Sequence, residues 1–387
     1  MSELNYLEKL LDGVDVEWKP LGDASFFEIA NNGRKPVKSS LRIAGKTPYY
    51  GANNVQDYVD GYTHDGEYVL IAEDGSASLE RYSIQYATGK FWANNHVHVV
   101  RGKSRVNSRF LYHYLHNVNF IPFLTGGVRA KLTKGQLIEI SVPIPCPDNT
   151  EKSLAIQSEI IRIMDNFTTF YADLTSKLTA ELAMRKKQYN YYRDQLLSFE
   201  ESEIEWKTLG EIAEINTGQK PSEILESATT FDYINAGTSR SGYTTISNCD
   251  GDTVTTPSRG QGGIGFVGYQ NMPFWLGPLC YKMKAINEKV LINKFLFYFL
   301  QSRRELLLSL KKEGGVPAVN KSDLAKLAIP LPSLGEQKRI VSILDKFDTL
   351  THSISEGLPR EIELRQKQYE YYRDMLFNFP KPEVAEA

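Results

Sequence analysis

Two histidine pairs have spacings at which imidazoles do chemistry. His96-x-His98 falls in a β-like run and His113-x-x-His116 in a helix-like segment, so each pair shares one face of its element. A zinc site needs further Cys, His or carboxylate ligands at set spacing, and none accompanies either pair. Cys146, Cys249 and Cys280 are odd in number and isolated, which suits a reducing cytoplasm and gives no sign of an activated nucleophile. The glycine-rich GQGGIGFVG (260–268) lacks the lysine of a phosphate loop, and no Gly-x-Gly-x-x-Gly follows a strand. The Asn/Asp-Pro-Pro-aromatic mark of amino methyltransferases is absent too. The expectation is no metal and no catalytic residue on this chain.

What organises the chain is repetition. Residues 184–199, MRKKQYNYYRDQLLSF, return 180 positions later as LRQKQYEYYRDMLFNF (364–379), with ten of sixteen identical. Upstream, 163–167 answers 343–347, and Gln157 answers Gln337. Pro143-Ile144-Pro145 answers Pro330-Leu331-Pro332, Gly126-Gly127-Val128 answers Gly314-Gly315-Val316, and VEWKPLG (16–22) answers IEWKTLG (204–210). Solenoids repeat every ~20–50 residues, so this longer period means duplicated domains. The expected order is an N-terminal helix (1–15), a first α/β domain (16–150), a helix (151–200), a second α/β domain (201–333), a second helix (334–380) and a tail (381–387). The head LNYLEKLLDG weakly matches the end of the repeated segment, Tyr6, Leu10 and Leu11 against Tyr192, Leu196 and Leu197. That match predicts that the two ends of the chain meet.

Composition sets limits. A chain of 387 residues with 41% hydrophobic content has room for two or more soluble domains. No apolar run approaches the ~20 residues that span a bilayer, and the head lacks the pattern of a signal peptide, so a cytoplasmic protein without membrane contact is expected. A net charge of −2 means that any DNA-facing surface is local.

The helical segments explain how the domains are spaced. Residues 153–199 contain no Gly or Pro and are rich in good helix formers. Ile156, Ile160, Ile163, Phe167, Phe170 and Leu174 alternate in steps of four and three, the seam of a coiled coil. After four-residue steps to Leu178 and Leu182 the seam resumes at Tyr189, Tyr192, Leu196 and Phe199, and the second copy repeats the pattern. With a globular region between them, the two helices are expected to pack antiparallel. Gly357-Leu358-Pro359 stands where the first copy has Lys177-Leu178-Thr179, which predicts a break near Ser355–Pro359. The tyrosine-rich helix ends suit helix packing or a partner-docking surface. Within the globular regions the frame agrees between copies, as in Phe91-Trp92 with Phe274-Trp275, while loops differ: AEDGSASLER (72–81) stands where TPSRGQGGIG (256–265) stands.

Two α/β regions, each closing on Gly-Gly-x…Pro-x-Pro before a long helix that ends in Gln-Tyr-x-Tyr-Tyr-Arg-Asp-x-Leu, resemble the specificity subunit of type I restriction–modification systems across residues 16–379. The resemblance implies an α/β fold with two target-recognition domains separated by two long helices in an antiparallel coiled coil, an internal pseudo-two-fold repeat. It implies that each domain reads one half of a bipartite double-stranded DNA target. Two methyltransferase subunits would dock on the helices, and restriction/translocase subunits would join them. S-adenosylmethionine would then belong to the methyltransferase partner, ATP and magnesium to the restriction partner, and no cofactor to this chain.

Base edges are read by Arg, Lys, Asn and Gln, with Ser and Thr adaptable, and phosphates by Arg, Lys and backbone amides. Loop candidates in the first module are Arg34, Lys35, Lys38, Asn53, Asn54, Ser76, Arg81, Arg129, Lys131 and Lys134. In the second they are Lys220, Thr238, Ser239, Arg240, Arg259, Gln261, Asn320 and Lys321. Tyr189, Tyr192, Arg193, Tyr369, Tyr372 and Arg373 are the candidates for partner docking. A coiled-coil adaptor that binds proteins and not DNA is the alternative.

Overall fold

The computed structural model describes residues 6–127, 130–200, 202, 204–227, 230–260, 262–312, 316–352 and 356–381. It divides into two compact units, Met1–Ser176 with Glu363–Ala387, and Lys177–Ile362. Both cuts fall inside helices, so each unit holds one α/β domain and parts of both helical segments.

In the first unit the Glu-Trp-Lys motif and the Pro-x-Pro motif are partners. Strand Val16–Pro20 pairs antiparallel with Ser141–Pro145, Trp18 facing Pro143, and so joins the start of the domain to its end. Prolines are tolerated there because a two-stranded ribbon leaves outward amide positions that need no ladder bond. One four-stranded sheet runs in the order Phe27–Ile29, Val97–Gly102, Tyr68–Ala72, Ile84–Ala87. Its strand Tyr68–Ala72 is buried at every position, as an unbroken apolar run in a central strand must be. A second sheet runs Val55–Val59, Ala44–Tyr50, Lys90–Ala93, His64–Asp65. The second unit repeats the plan. Glu205–Thr208 pairs with Ala328–Leu331, and Thr253–Pro257 is the fully buried strand of the sheet Ala213–Thr217, Cys280–Ala285, Thr253–Pro257, Gly268–Gln270.

The first spacer helix is continuous over Thr150–Leu196, 47 residues. The second copy is two helices, Leu334–His352 and Gly357–Leu376, with the interruption next to Gly357-Leu358-Pro359; Ser355 lies outside the described residues. Within the first unit the helices run antiparallel: Phe167 meets Tyr372 at 5.6 Å between ring centroids, and Tyr171 stacks on Tyr369 at 4.8 Å. In the second unit Tyr192 stacks on Phe347 at 5.9 Å, the same pair with its copies exchanged.

The seam needs correction at Ile156, Ile160 and Phe170. Phe170 is 66% exposed, and the neighbouring Tyr171 makes the contact across to Tyr369. The reason is that the helix's buried positions Ile156, Ile160 and Met164 face the α/β domain, and this face turns Phe170 outward. Ile340 and Leu344 do the same in the second unit.

The two chain ends share the first unit's core, as the head's resemblance predicts. Leu7 and Leu11 of helix Tyr6–Leu11 are buried with Leu376, Phe377 and Phe379. Phe379 meets Phe110 edge-on at 6.2 Å, as Phe199 meets Phe295 at 6.3 Å in the second unit. Trp18 Nε1 donates to the Pro380 carbonyl at 2.9 Å. Phe379→Ala is therefore expected to cost about 3 kcal/mol. Hydrogen exchange should show strand Tyr68–Ala72 losing protection while Thr253–Pro257 keeps it; equal loss in both strands would contradict this assignment.

Candidate nucleic-acid interface

The loops that differ between the copies are held by bonds that do not. On strand Lys90–Ala93, Trp92 donates its indole N–H to the Lys35 carbonyl at 2.7 Å; on Trp275–Leu276, Trp275 donates to the Gln219 carbonyl at 2.8 Å. On the next strand of the chain, which belongs to the other sheet in each unit, His98 Nε2 donates to the Leu132 carbonyl at 2.7 Å, and the Tyr281 hydroxyl to the Val319 carbonyl at 3.0 Å. His98 faces Ile71 and Tyr281 faces Thr256 in matching registers, so one side chain replaces the other at the same station. The Leu132 amide returns to the Glu73 carbonyl and the Val319 amide to that of Ser258. Glu73 thus corresponds to Ser258, a shift of one residue from the sequence pairing of 72–81 with 256–265.

In the first unit these loops converge on a charge cluster. Arg34 Nη1 donates to the Glu73 carboxylate at 2.5 Å and to the Val97 carbonyl at 2.8 Å, and Lys131 Nζ reaches the same carboxylate at 2.9 Å. Burial alone would raise the Glu73 pKa; the bonds from Arg34 and Lys131 outweigh it and hold the carboxyl below its usual range. His98 Nδ1 sits 2.9 Å from the Asn31 carboxamide nitrogen. With Nε2 donating to a carbonyl, that contact fixes the neutral tautomer, and burial lowers the imidazole's pKa accordingly. Arg34 and Lys131, both candidates for DNA contact, are here engaged in shaping the loops.

The other candidates separate into loop staples and exposed groups. Asn53 bonds the Gly75 carbonyl and Ala77 amide, and Ser76 bonds Ser78 and Ser83, so both brace the turn after the central strand. Arg81 pairs with Glu370 at 2.7 Å. Lys35, Lys38, Asn54 and Lys134 are exposed in the first unit, as are Lys220, Arg259, Asn320 and Lys321 in the second, where Lys321 reaches Asn216 at 3.0 Å. Thr238, Ser239 and Arg240 line a cleft of about 420 Å³ with Asn235 and Gln270. Arg240 pairs with Asp232 at 3.1 Å, a bond that raises its pKa further. Arg129 and Gln261 lie outside the described residues.

The docking candidates behave unequally. Tyr189 is only 3% exposed, its hydroxyl on Gln301, so it belongs to the second unit's core. Tyr369 packs on Tyr171 and bonds Thr168, while Arg193 and Arg373 pair with Asp194 and Asp374. Tyr192 and Tyr372 are exposed as well as stacked across the helices, and the more outward rings are Tyr191 at 58% and Tyr371 at 62%. The alternation within each Tyr-Tyr pair was the available signal for those two. Of the histidine pairs, His96 meets Asp74 and His113 meets Asp165. Among the described residues no three His, Cys, Asp or Glu side chains gather as a metal site would require, and no helix is long and apolar enough to cross a membrane.

Comparison with known proteins fits this duplicated arrangement. The model of the family described as the type I restriction modification DNA specificity domain matches twice, at residues 14–184 and 201–364. A putative type I restriction enzyme specificity subunit of Haemophilus influenzae is 46% identical, covering 97% of this chain and 98% of that protein. The EcoR124I/EcoR124II specificity subunit of Escherichia coli is 40% identical with full coverage of both. The crystal structure of a type I S subunit from M. genitalium shares the fold, with a TM-score of 0.55 at 17% identity over 96% of this chain and 98% of that one.

Glu73→Gln is expected to destabilise the first domain by about 2 kcal/mol at neutral pH, the scale of lost charge-assisted hydrogen bonds. Because the native carboxyl is depressed, its contribution is complete above the ordinary value of 4.5 and fades as pH falls through the lower native value. Urea unfolding of both proteins should show the gap closing with acidification; a gap independent of pH would refute the assignment.

Proposed function

Because this chain belongs to the family of type I restriction–modification specificity subunits, we propose that it reads DNA as two half-sites, one per α/β domain. The observation that carries this is the pairing of equivalent loop anchors, Trp92 with Trp275 and His98 with Tyr281, with unlike loops. A scaffold that repeats its bonds while changing its exposed side chains supports two different base sequences on one plan. Residues 16–150 would form the first reading module and 201–333 the second, with the helical segments 151–200 and 334–380 between and after them.

In this reading the exposed Lys35 and Lys38 of the first module supply phosphate contacts, and Lys134 with Lys220, Arg259 and Lys321 of the second supply phosphate or guanine contacts. Asn54 and Asn320 have the chemistry for adenine edges, and Thr238, Ser239 and Arg240 offer adaptable donors from one cleft. Arg34, Asn53, Ser76 and Lys131 support the loops that carry those groups. The chain would contribute no catalytic residue. Methyl transfer to adenine N6 would reside on two methyltransferase subunits using S-adenosylmethionine, docked on helix faces that carry Tyr191, Tyr192, Tyr371 and Tyr372. ATP- and magnesium-dependent translocation would reside on restriction subunits in the cytoplasm.

Co-expression with its methyltransferase and single-molecule sequencing of N6-methyladenine is expected to give a split motif. Exchanging 16–145 for another module should alter one half and leave the other. A continuous motif, or a pattern indifferent to the exchange, would refute the reading; the second result is also what a protein-binding adaptor predicts. Removing Lys35 and Lys38 together should weaken binding to all DNA sequences alike and reduce the salt slope by about 2, measured by titration at several salt concentrations.

A further inference from the structure

We infer that each reading domain is locked to its spacer helix by a two-point polar joint, and that these joints are the positioning residues by which the protein selects the spacing between half-sites. The inference rests on the two-half-site reading above.

In the first unit the inner point is Gln157, fully buried. Its carboxamide oxygen accepts the Asn107 amide at 2.9 Å, and its nitrogen donates to the Arg105 carbonyl at 3.0 Å and Ser153 Oγ at 3.1 Å. The outer point is Asp165, whose Oδ1 accepts Arg109 Nη2 at 2.8 Å and His113 Nε2 at 2.7 Å. The domain helix Ser108–Leu115, capped by Asn107, is thus held at its start by one point and along its length by the other. Two turns separate Gln157 from Asp165, about 12 Å at ~1.5 Å per residue, on one helix face. One point would leave a pivot. Two fix the direction of the domain as well as its place.

The second unit builds the same joint from other residues. Gln337, also fully buried, accepts the Ile292 amide at 2.9 Å and donates to the Val290 and Pro332 carbonyls, each at 2.9 Å. Asp345 accepts the Tyr298 hydroxyl at 2.5 Å and Lys294 Nζ at 2.9 Å, from helix Asn293–Ser302. Tyrosine replaces histidine and lysine replaces arginine, yet each carboxylate keeps one ring-borne donor and one cation. Apolar packing alone would not require that match. Base pairs rise ~3.4 Å, so a small tilt about a loosened joint suffices to bring a reading loop opposite the neighbouring pair.

The test uses the full chain assembled with its methyltransferase subunits, after the wild-type target is mapped. Methyl transfer is measured on duplexes carrying both half-sites at the native spacing and at one base pair more or less. Asp165→Asn and, independently, Asp345→Asn are expected to reduce the preference for native spacing by up to about a hundredfold, the scale of a ~1 Å misplacement, while single-base changes in each half-site are rejected as before. The pair His113→Tyr with Arg109→Lys, which copies the second joint into the first, should keep the native preference. An unchanged spacing profile in both Asn variants overturns the inference, and so does an equal loss on all three duplexes, which marks a purely structural role. A wild-type protein that methylates no split target would instead overturn the two-half-site reading itself.

Discussion

A carboxamide shut away from water must find every partner inside the protein, because leaving one unmade costs about 1–3 kcal/mol. Gln157 and Gln337 meet that demand where helix and domain join, each taking one backbone amide and giving two hydrogens. Apolar contacts such as Ile160 and Met164 drive the same surfaces together but are non-directional, and a slide by one turn would keep much of their burial. The glutamines admit one register. The interlocked aromatics across the helices, the closing ribbon and the orientation of the loops all presuppose it.

The two copies preserve bonds more faithfully than residues. His98 and Tyr281 share no chemistry beyond a ring that ends in a donor, yet both donate to a carbonyl three to four residues beyond the Gly-Gly-Val motif. His113 and Tyr298 repeat the exchange against Asp165 and Asp345. Where the copies do abandon a bond, the change is local: the Glu73 cluster has no carboxylate counterpart at Ser258, and the loops beside it diverge in length and charge.

Much of the frame was legible because duplication lets a chain be compared with itself. The 184–199 and 364–379 echo, the Glu-Trp-Lys start and the Pro-x-Pro stop all correspond to packed elements, and the latter two are each other's strand partners. Periodicity could not tell which of Phe170 and Tyr171 faces the opposing helix, since the α/β domain competes for the same helix surface. The candidate interface was less legible. A loop arginine has the same identity whether it meets solvent or a carboxylate, so the engagement of Arg34 and Lys131 by Glu73 became visible only in three dimensions. Likewise Tyr189 and Tyr191 are alike in sequence and opposite in exposure.

The loop anchors carry a consequence for how such a protein changes over generations. Trp92, Trp275, His98 and Tyr281 all grip carbonyl oxygens, at residues 35, 219, 132 and 319. Every amino acid carries that carbonyl. At residues 35 and 219, whose side chains are exposed, a mutation therefore rewrites the side chain offered to a ligand without loosening the foothold beneath it, while Leu132 and Val319 are buried and hold the loop ends. New specificities become reachable by single substitutions through folded intermediates, and evolvability is built in at the level of the main chain.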